Sequence, residues 1–258
     1  MLYFLIFIFG LAIGSFLNVV ICRLKTNESI LIGRSYCPKC KTILKWYDLI
    51  PVFSFIFCKG RCRYCDKKII WQYPMVEIIT GLLFLLIFNF QFSLPAGEAG
   101  IFNLIYYLII ISFLIVIFVY DLKHYLILDK IVFPAVIITI IFNFFLLPEG
   151  WQSSILSAFG ASLFFLSLVL ISKGEWMGLG DVKFAFLMGL ILSWPNILLA
   201  LFLSFFSGAI VGITLILFGK KGFKSQIPFG PFLSGSTILI IIYGEYIIEL
   251  YQNMFWFF

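Results

Sequence analysis

The chain has 258 residues, of which 63% are hydrophobic and only 12% charged, with a net charge of +6 at pH 7 and a mean hydropathy of +1.12. So little charge cannot cover a soluble domain, so the composition excludes a water-soluble globular protein and identifies an integral membrane protein. The positive excess needs no nucleic-acid partner, because basic residues that retain loops on one side of the membrane account for it.

The first hydrophobic run opens at Met1 with no basic region before it and no small-residue cleavage motif. It therefore reads as a spanning helix rather than a removed signal. A span takes about 20 apolar residues. Runs near 2–22, 75–92, 102–120, 131–147, 153–172, 182–194, 197–218 and 231–250 predict eight helices, the sixth conspicuously short. The expected fold is an all-α polytopic membrane protein: helix 1 over 1–22, a small zinc-ribbon insertion over 23–74, and a seven-helix membrane domain over 75–258. Eleven of the 18 Lys and Arg lie between Arg23 and Lys68, and the other seven fall on the same side of the eight-span array. The opposite connections, around "SLPAGEAG", "PEGWQ" and "SWPN", carry none. The basic side, with the insertion, is accordingly expected to face the cytoplasm, with both termini outside.

Residues 23–74 hold Cys37-Pro-Lys-Cys40 and Cys62-Arg-Tyr-Cys65, two C-x-x-C knuckles 21 residues apart. Four thiolates at this spacing suit a tetrahedral Zn2+ site. Lys39, Lys41, Arg61 and Arg63 flank the cysteines and favour their anionic form. With four protein ligands and no open position the zinc is expected to be structural. It would supply stability that about 50 residues cannot draw from their own core. Disulfides are disfavoured in a reducing compartment, and Cys22 and Cys58 read as ordinary thiols outside the metal set. Trp46, Tyr47 and Trp71 fit either packing within the ribbon or anchoring at the membrane interface.

Further along, the third run ends "FLIVIFVYD", placing Asp121 at the end of a span, and "EWMGLGDVK" places Asp181 at the start of the short sixth. Gly178 and Gly180 would permit φ > 0 and close approach of a second chain, and a helix N-terminus favours the carboxylate of Asp181. Taken alone, Asp181 reads equally well as a helix cap. In the array, however, Asp121 and Asp181 lie at one membrane face on different helices. Two carboxyls sharing one water can divide the work of aspartic proteolysis. Other acids fit less well. Glu98 and Glu149 fall in outer loops, Glu245 and Glu249 near the outer end of the last run, and Asp129 reads as a cap for the fourth span. Glu77 caps or orients the second span. His124, the sole histidine, lacks a serine or cysteine partner for nucleophilic catalysis, and a single histidine excludes an H-E-x-x-H site. Gly14, Ser15 and Asn18 give the first helix a small polar face suited to close packing. Pro228, Gly230 and Pro231 break the entry to the last span and leave backbone groups needing partners.

At these residues the chain resembles the type IV prepilin peptidase family of bacterial inner membranes. The resemblance runs in order through "GSFLNVVICR", "CPKC", "LKWYDLIPVFS", "GRCRYC", "YPMVE", Asp121, "GLGDVK" and "IPFGPFLS". One departure is Leu128 before Asp129, where similar enzymes usually carry proline. The resemblance implies Asp121 and Asp181 as the catalytic pair, with Gly178, Gly180 and Lys183 in support. It implies cleavage of prepilin or pseudopilin precursors on the cytoplasmic side, after a glycine that follows a short basic leader. It also implies N-methylation of the new N-terminus from S-adenosylmethionine, with Gly60 the methyl-transfer candidate in the insertion; read from the residues alone, Gly60 is a turn residue. No G-x-G-x-x-G fingerprint marks a nucleotide site. The alternative readings are a peptidase without methyl transfer, or a non-enzymatic assembly or transport protein that uses the zinc ribbon for docking.

Overall fold

Each of the eight apolar runs folds as a helix, as it must where lipid offers no partner for backbone N–H and C=O groups. The structure is a computed structural model, and it describes all residues except 27, 30–31, 94–98, 147–149, 220–225 and 256–258. Most of the two outer connections "SLPAGEAG" and "PEGWQ", with Glu98 and Glu149, and the lysines at 220, 221 and 224 lie outside the described residues. In chain order the helices are α1 (Leu2–Thr26), α2 (Phe53–Phe57), α3 (Gln72–Ser93), α4 (Ala99–His124), α5 (Asp129–Leu146), α6 (Trp151–Ile171), α7 (Leu179–Leu192), α8 (Asn196–Leu217) and α9 (Gly230–Phe255). A 3-10 turn covers Trp46–Leu49, and no strand forms among the described residues beyond two isolated antiparallel bridges, Tyr36 with Ile43 and Arg61 with Lys68. Among the described residues six helices are long and apolar enough to cross a membrane, α1, α3, α4, α6, α8 and α9. The other two expected spans, α5 and α7, are 18 and 14 residues long. At 1.5 Å per residue the 14-residue α7 reaches only about 21 Å, short of a hydrocarbon core of about 30 Å.

The chain divides into two compact units, Met1–Val116 and Ile117–Phe258, with α4 running across the boundary. In the first unit α1 packs on α3 through small residues. A Cβ on Gly10 would lie 2.7 Å from Gly81 Cα, and one on Gly14 would lie 2.7 Å from Glu77 Cα. Such close backbone approach is how helices associate where lipid removes the hydrophobic drive. The small polar face expected on the first helix is thus in use. Asn18, buried in this seam, donates to the Tyr73 carbonyl (3.0 Å) and accepts from the Gln72 amide (3.1 Å).

In the second unit α7 is the central element, packed against α5, α6, α8 and α9. Phe184, Ala185, Leu187, Met188 and Leu190 are buried around its circumference, so α7 faces protein rather than lipid. That explains how so short and uniformly apolar a helix persists. Gly189 meets α6 so closely that a Cβ there would fall 2.4 Å from Ala158 Cα. Asn143 of α5 donates to the Leu190 carbonyl at 2.9 Å, and Ser154 and Ser193 share a hydrogen bond of 2.6 Å.

Candidate active site

Asp121 lies in the last turn of α4, three residues before its end at His124, and is 4% exposed. Its Oδ2 accepts a hydrogen bond of 2.9 Å from the Gly230 N–H, the first residue of α9. The first N–H groups of a helix have no partner within it, and here a carboxylate from another helix supplies one. A Cβ on Gly230 would sit 2.6 Å from that same oxygen, so the position admits no side chain while Asp121 stays in place. Asp121 is therefore held from α9 across 109 residues of sequence.

Asp181 occupies the third position of α7, which starts three residues earlier than the apolar run suggested. Its Oδ2 accepts the Gly178 N–H at 3.1 Å, closing the first turn of the helix from within. The glycines of "GLGD" do not use the conformational freedom expected of them. Neither has positive φ, and Gly178 is extended at φ −89°, ψ 161°. Gly180 is used for space: a Cβ there would lie 3.1 Å from Ile127 Cβ, so the link between α4 and α5 rests on the start of α7, whereas a Cβ on Gly178 would meet nothing closer than 3.8 Å. That link follows directly on the last turn of α4, which carries Asp121 six residues before Ile127. Each carboxyl is oriented by one glycine N–H on Oδ2, and Oδ1 of each has no hydrogen bond with protein among the described residues.

Lys183 does not point at either aspartate of this pair. Its ammonium grips both oxygens of Asp129 at 2.7 and 2.8 Å, joining the first turns of α5 and α7. Asp129, expected as a cap for the fourth span, does begin α5, but its carboxylate is taken up by Lys183. The His124 ring lies 4.6 Å from that of Tyr120, tilted by 56°, in the end turn of α4. The loop of Pro228, Gly230 and Pro231, whose backbone groups were expected to need partners, supplies the Gly230 N–H to Asp121. The resemblance implies that this loop lies near the pair in support, or else serves plain helix entry, but that particular bond was not foreseen. Its signal was present in "IPFGPF", where a helix start flanked by prolines must leave an N–H seeking an acceptor.

In the first unit the Sγ atoms of Cys37, Cys40, Cys62 and Cys65 all lie within 4.8 Å of one another, while Cys22 and Cys58 stand outside the set. Two similar turns build the cluster. Cys37 N–H bonds the Thr42 carbonyl and Cys62 N–H the Lys67 carbonyl, while Lys41 and Asp66, both at positive φ, return the chain behind each second cysteine. Hydrogen bonds from the Thr42 hydroxyl and then its amide lower the Cys40 thiol to about 6. Cys65 accepts from the Lys67 amide, which lowers it, but burial and the neighbouring sulfurs outweigh this and push it up to about 11. Four sulfurs this close suit one tetrahedral cation with metal–sulfur bonds of about 2.3 Å, which would set the sulfurs roughly 3.8 Å apart. Asp48 organises the adjoining chain. It accepts from the Lys45 amide (3.1 Å) and the Tyr64 hydroxyl (2.9 Å) and pairs with Arg63 Nε at 3.0 Å. The Tyr64 phenol is raised well above its usual value by that bond to Asp48. Gly60 turns the chain at φ +68° before the second knuckle, with the Phe55 ring where its side chain would be.

The fold and these sites define a multi-pass membrane protein with a glycine-held pair of carboxyls and a separate four-cysteine cluster able to hold a metal ion. Residues 8–90 match the family model described as the bacterial peptidase A24 N-terminal domain, and residues 108–213 match the type IV leader peptidase family. A prepilin leader peptidase/N-methyltransferase of Bacillus subtilis (strain 168) is 32% identical, the match covering 97% of this chain and 98% of that protein. Proteins of the same description from Myxococcus xanthus (strain DK1622) and Legionella pneumophila are 32% and 30% identical, over 86% and 97% of this chain and 65% and 94% of theirs. No solved structure matches the chain. The chain belongs to the type IV leader peptidase family.

Proposed function

We propose that this protein is an aspartic endopeptidase of the bacterial inner membrane. It removes the basic leader from prepilin or pseudopilin precursors and then N-methylates the exposed N-terminus. The relatives' shared description as prepilin leader peptidase/N-methyltransferase supports both activities. What supports the peptidase reading is that Asp121 at the end of α4 and Asp181 at the start of α7 each accept a glycine N–H on one oxygen, while the link that follows α4 rests on the start of α7 through Ile127 and Gly180. With the pair sharing one proton, the ionised member takes a proton from a water as its oxygen attacks the scissile carbonyl carbon. The protonated member polarises that carbonyl, and the departing amine then takes up a proton as the C–N bond breaks. Gly178 and Gly180 act by permitting the approach of the two aspartates, and Lys183 by fixing the start of α7 through Asp129. The insertion and the aspartate pair face the cytoplasm in this reading, following the one-sided Lys and Arg.

The cation at Cys37, Cys40, Cys62 and Cys65 is zinc in this reading. Their chemistry, all sulfur and closed at four ligands, suits a structural ion that takes no part in hydrolysis. For methyl transfer the donor is S-adenosylmethionine, which supplies a methyl group to the new amine, and the insertion around Gly60 is its proposed place. Gly60 itself is covered by the Phe55 ring and serves a turn.

Incubating the purified enzyme with a prepilin and S-adenosylmethionine carrying a labelled methyl group tests both halves. The expected product is shortened by the leader and labelled at its new N-terminus. A shortened but unlabelled product would remove the methyl-transfer half, and an intact prepilin would overturn the reading.

A further inference from the structure

The insertion is not wholly a soluble module. Between Lys45 and Lys59 runs a nearly unbroken apolar stretch, "WYDLIPVFSFIFC", whose one charge, Asp48, is tied to Arg63 and Tyr64. A stretch of this length is too short to span and suits a re-entrant or interfacial segment. Its turning point is Val52, which donates its N–H to Glu77 Oε2 at 2.8 Å and adopts φ +61°, a conformation a β-branched residue rarely takes.

Glu77 sets the depth of that point. It lies five residues into α3, about 7.5 Å below the start of the helix. It also lies against Gly14, from which α1 continues twelve residues to Thr26, about 18 Å further. Val52 is thus bonded to a residue inside α3, a helix long and apolar enough to cross a membrane. From Val52 the chain climbs back as α2, and Phe55 reaches the Trp71 ring (5.1 Å between centroids) at the head of α3. Three side chains of α2 are exposed: Phe53 58%, Ile56 62% and Phe57 79%. α3 also exposes apolar side chains, at Met75, Ile78 and Ile79.

We propose that residues 49–57 form a re-entrant hairpin in the leaflet from which the insertion emerges. Phe53, Ile56 and Phe57 lie among lipid acyl chains, and Lys45 and Lys59 mark its two exits at headgroup level. Glu77 meets the need created by bringing backbone into the membrane, since an N–H there has no water to bond. An ionisable residue inside a membrane is retained for a purpose, and here that purpose is to anchor the hairpin at its deepest point. The four-cysteine cluster, one short chain segment away on either side, is thereby held against the bilayer surface. The occupant is lipid rather than a protein partner because Val52 is bonded inside α3, a helix long and apolar enough to cross a membrane, and because lysines bound the segment where anionic headgroups begin.

The test is depth-dependent fluorescence quenching of the full protein in phosphatidylcholine vesicles, comparing the wild type with Phe53→Trp and with Phe57→Trp. Lipids brominated near the headgroup end or the methyl end of their chains report depth, and aqueous iodide reports exposure to water. The added emission in both variants is expected to fall roughly two-fold or more with brominated lipid and to resist iodide, with Phe53→Trp favouring the deeper bromines. Quenching by iodide instead of lipid would overturn the proposal by placing the hairpin in water. Resistance to both would equally overturn it, by placing the hairpin against protein, a second copy included. Since no catalytic step enters the readout, these outcomes are independent of the peptidase reading.

Discussion

Asp121 keeps its orientation through one hydrogen bond, and the residue that donates it has no side chain to vary. A Gly230→Ala enzyme is expected to fold, but its Cβ must push Asp121 Oδ2 from a separation of 2.6 Å. Displacing a reacting group by this order costs about 100-fold in rate, so kcat/KM for prepilin cleavage is expected to fall by about that factor with helix content unchanged. An unaltered rate would mean that the Asp121–Gly230 contact does not set the site. Lys183 makes a contrasting case. Its pair with Asp129 is about half exposed to solvent on both sides, and such pairs are worth about 1 kcal/mol or less. Lys183→Met is therefore expected to shift thermal unfolding slightly and to reduce activity without abolishing it. The two aspartates could be picked from the sequence because carboxyls at the ends of apolar runs are costly and need a reason. Gly230 could not, because nothing local says which of several distant acceptors will take a helix-start N–H.

At the scale of helices, the apolar runs located every long element, since lipid forces an unpaired backbone into helix wherever side chains are apolar. The runs could not show that α7 is enclosed by protein while α8, equally apolar, is largely exposed, because uniformly apolar helices carry no periodic stripe. Gly189 is the point where this enclosure is tightest. Gly189→Ala places a Cβ against the α6 backbone and is expected to destabilise the second unit by about 1–3 kcal/mol. Thermal unfolding in detergent would show this as a lowered midpoint, and an unchanged midpoint would mean that α6 and α7 are not held this closely. The cysteine knuckles were equally legible, because two C-x-x-C pairs at this distance have few other uses. Cys37→Ser is expected to lose most of one bound zinc per chain by elemental analysis and to leave residues 23–74 open to protease. Zinc retained in full would place the ion elsewhere. The depth of the hairpin at Val52 was not legible, since it depends on Glu77 reaching back 25 residues.

For the whole molecule, the link before α5 meets the start of α7, which carries Asp181, and α9 holds Asp121 through Gly230. The second unit thus contains both aspartates of the proposed hydrolytic step, and the first carries the four-cysteine cluster. The central claim is that both carboxyls are needed and that neither is needed for folding. The most direct measurement is the mass of a prepilin after exposure to membranes holding equal amounts of wild-type, Asp121→Asn or Asp181→Asn protein. The account predicts a product shortened by the leader with the wild type alone, both variants being inserted and as heat-stable as the parent. Cleavage at the normal rate by either stably inserted variant would contradict it.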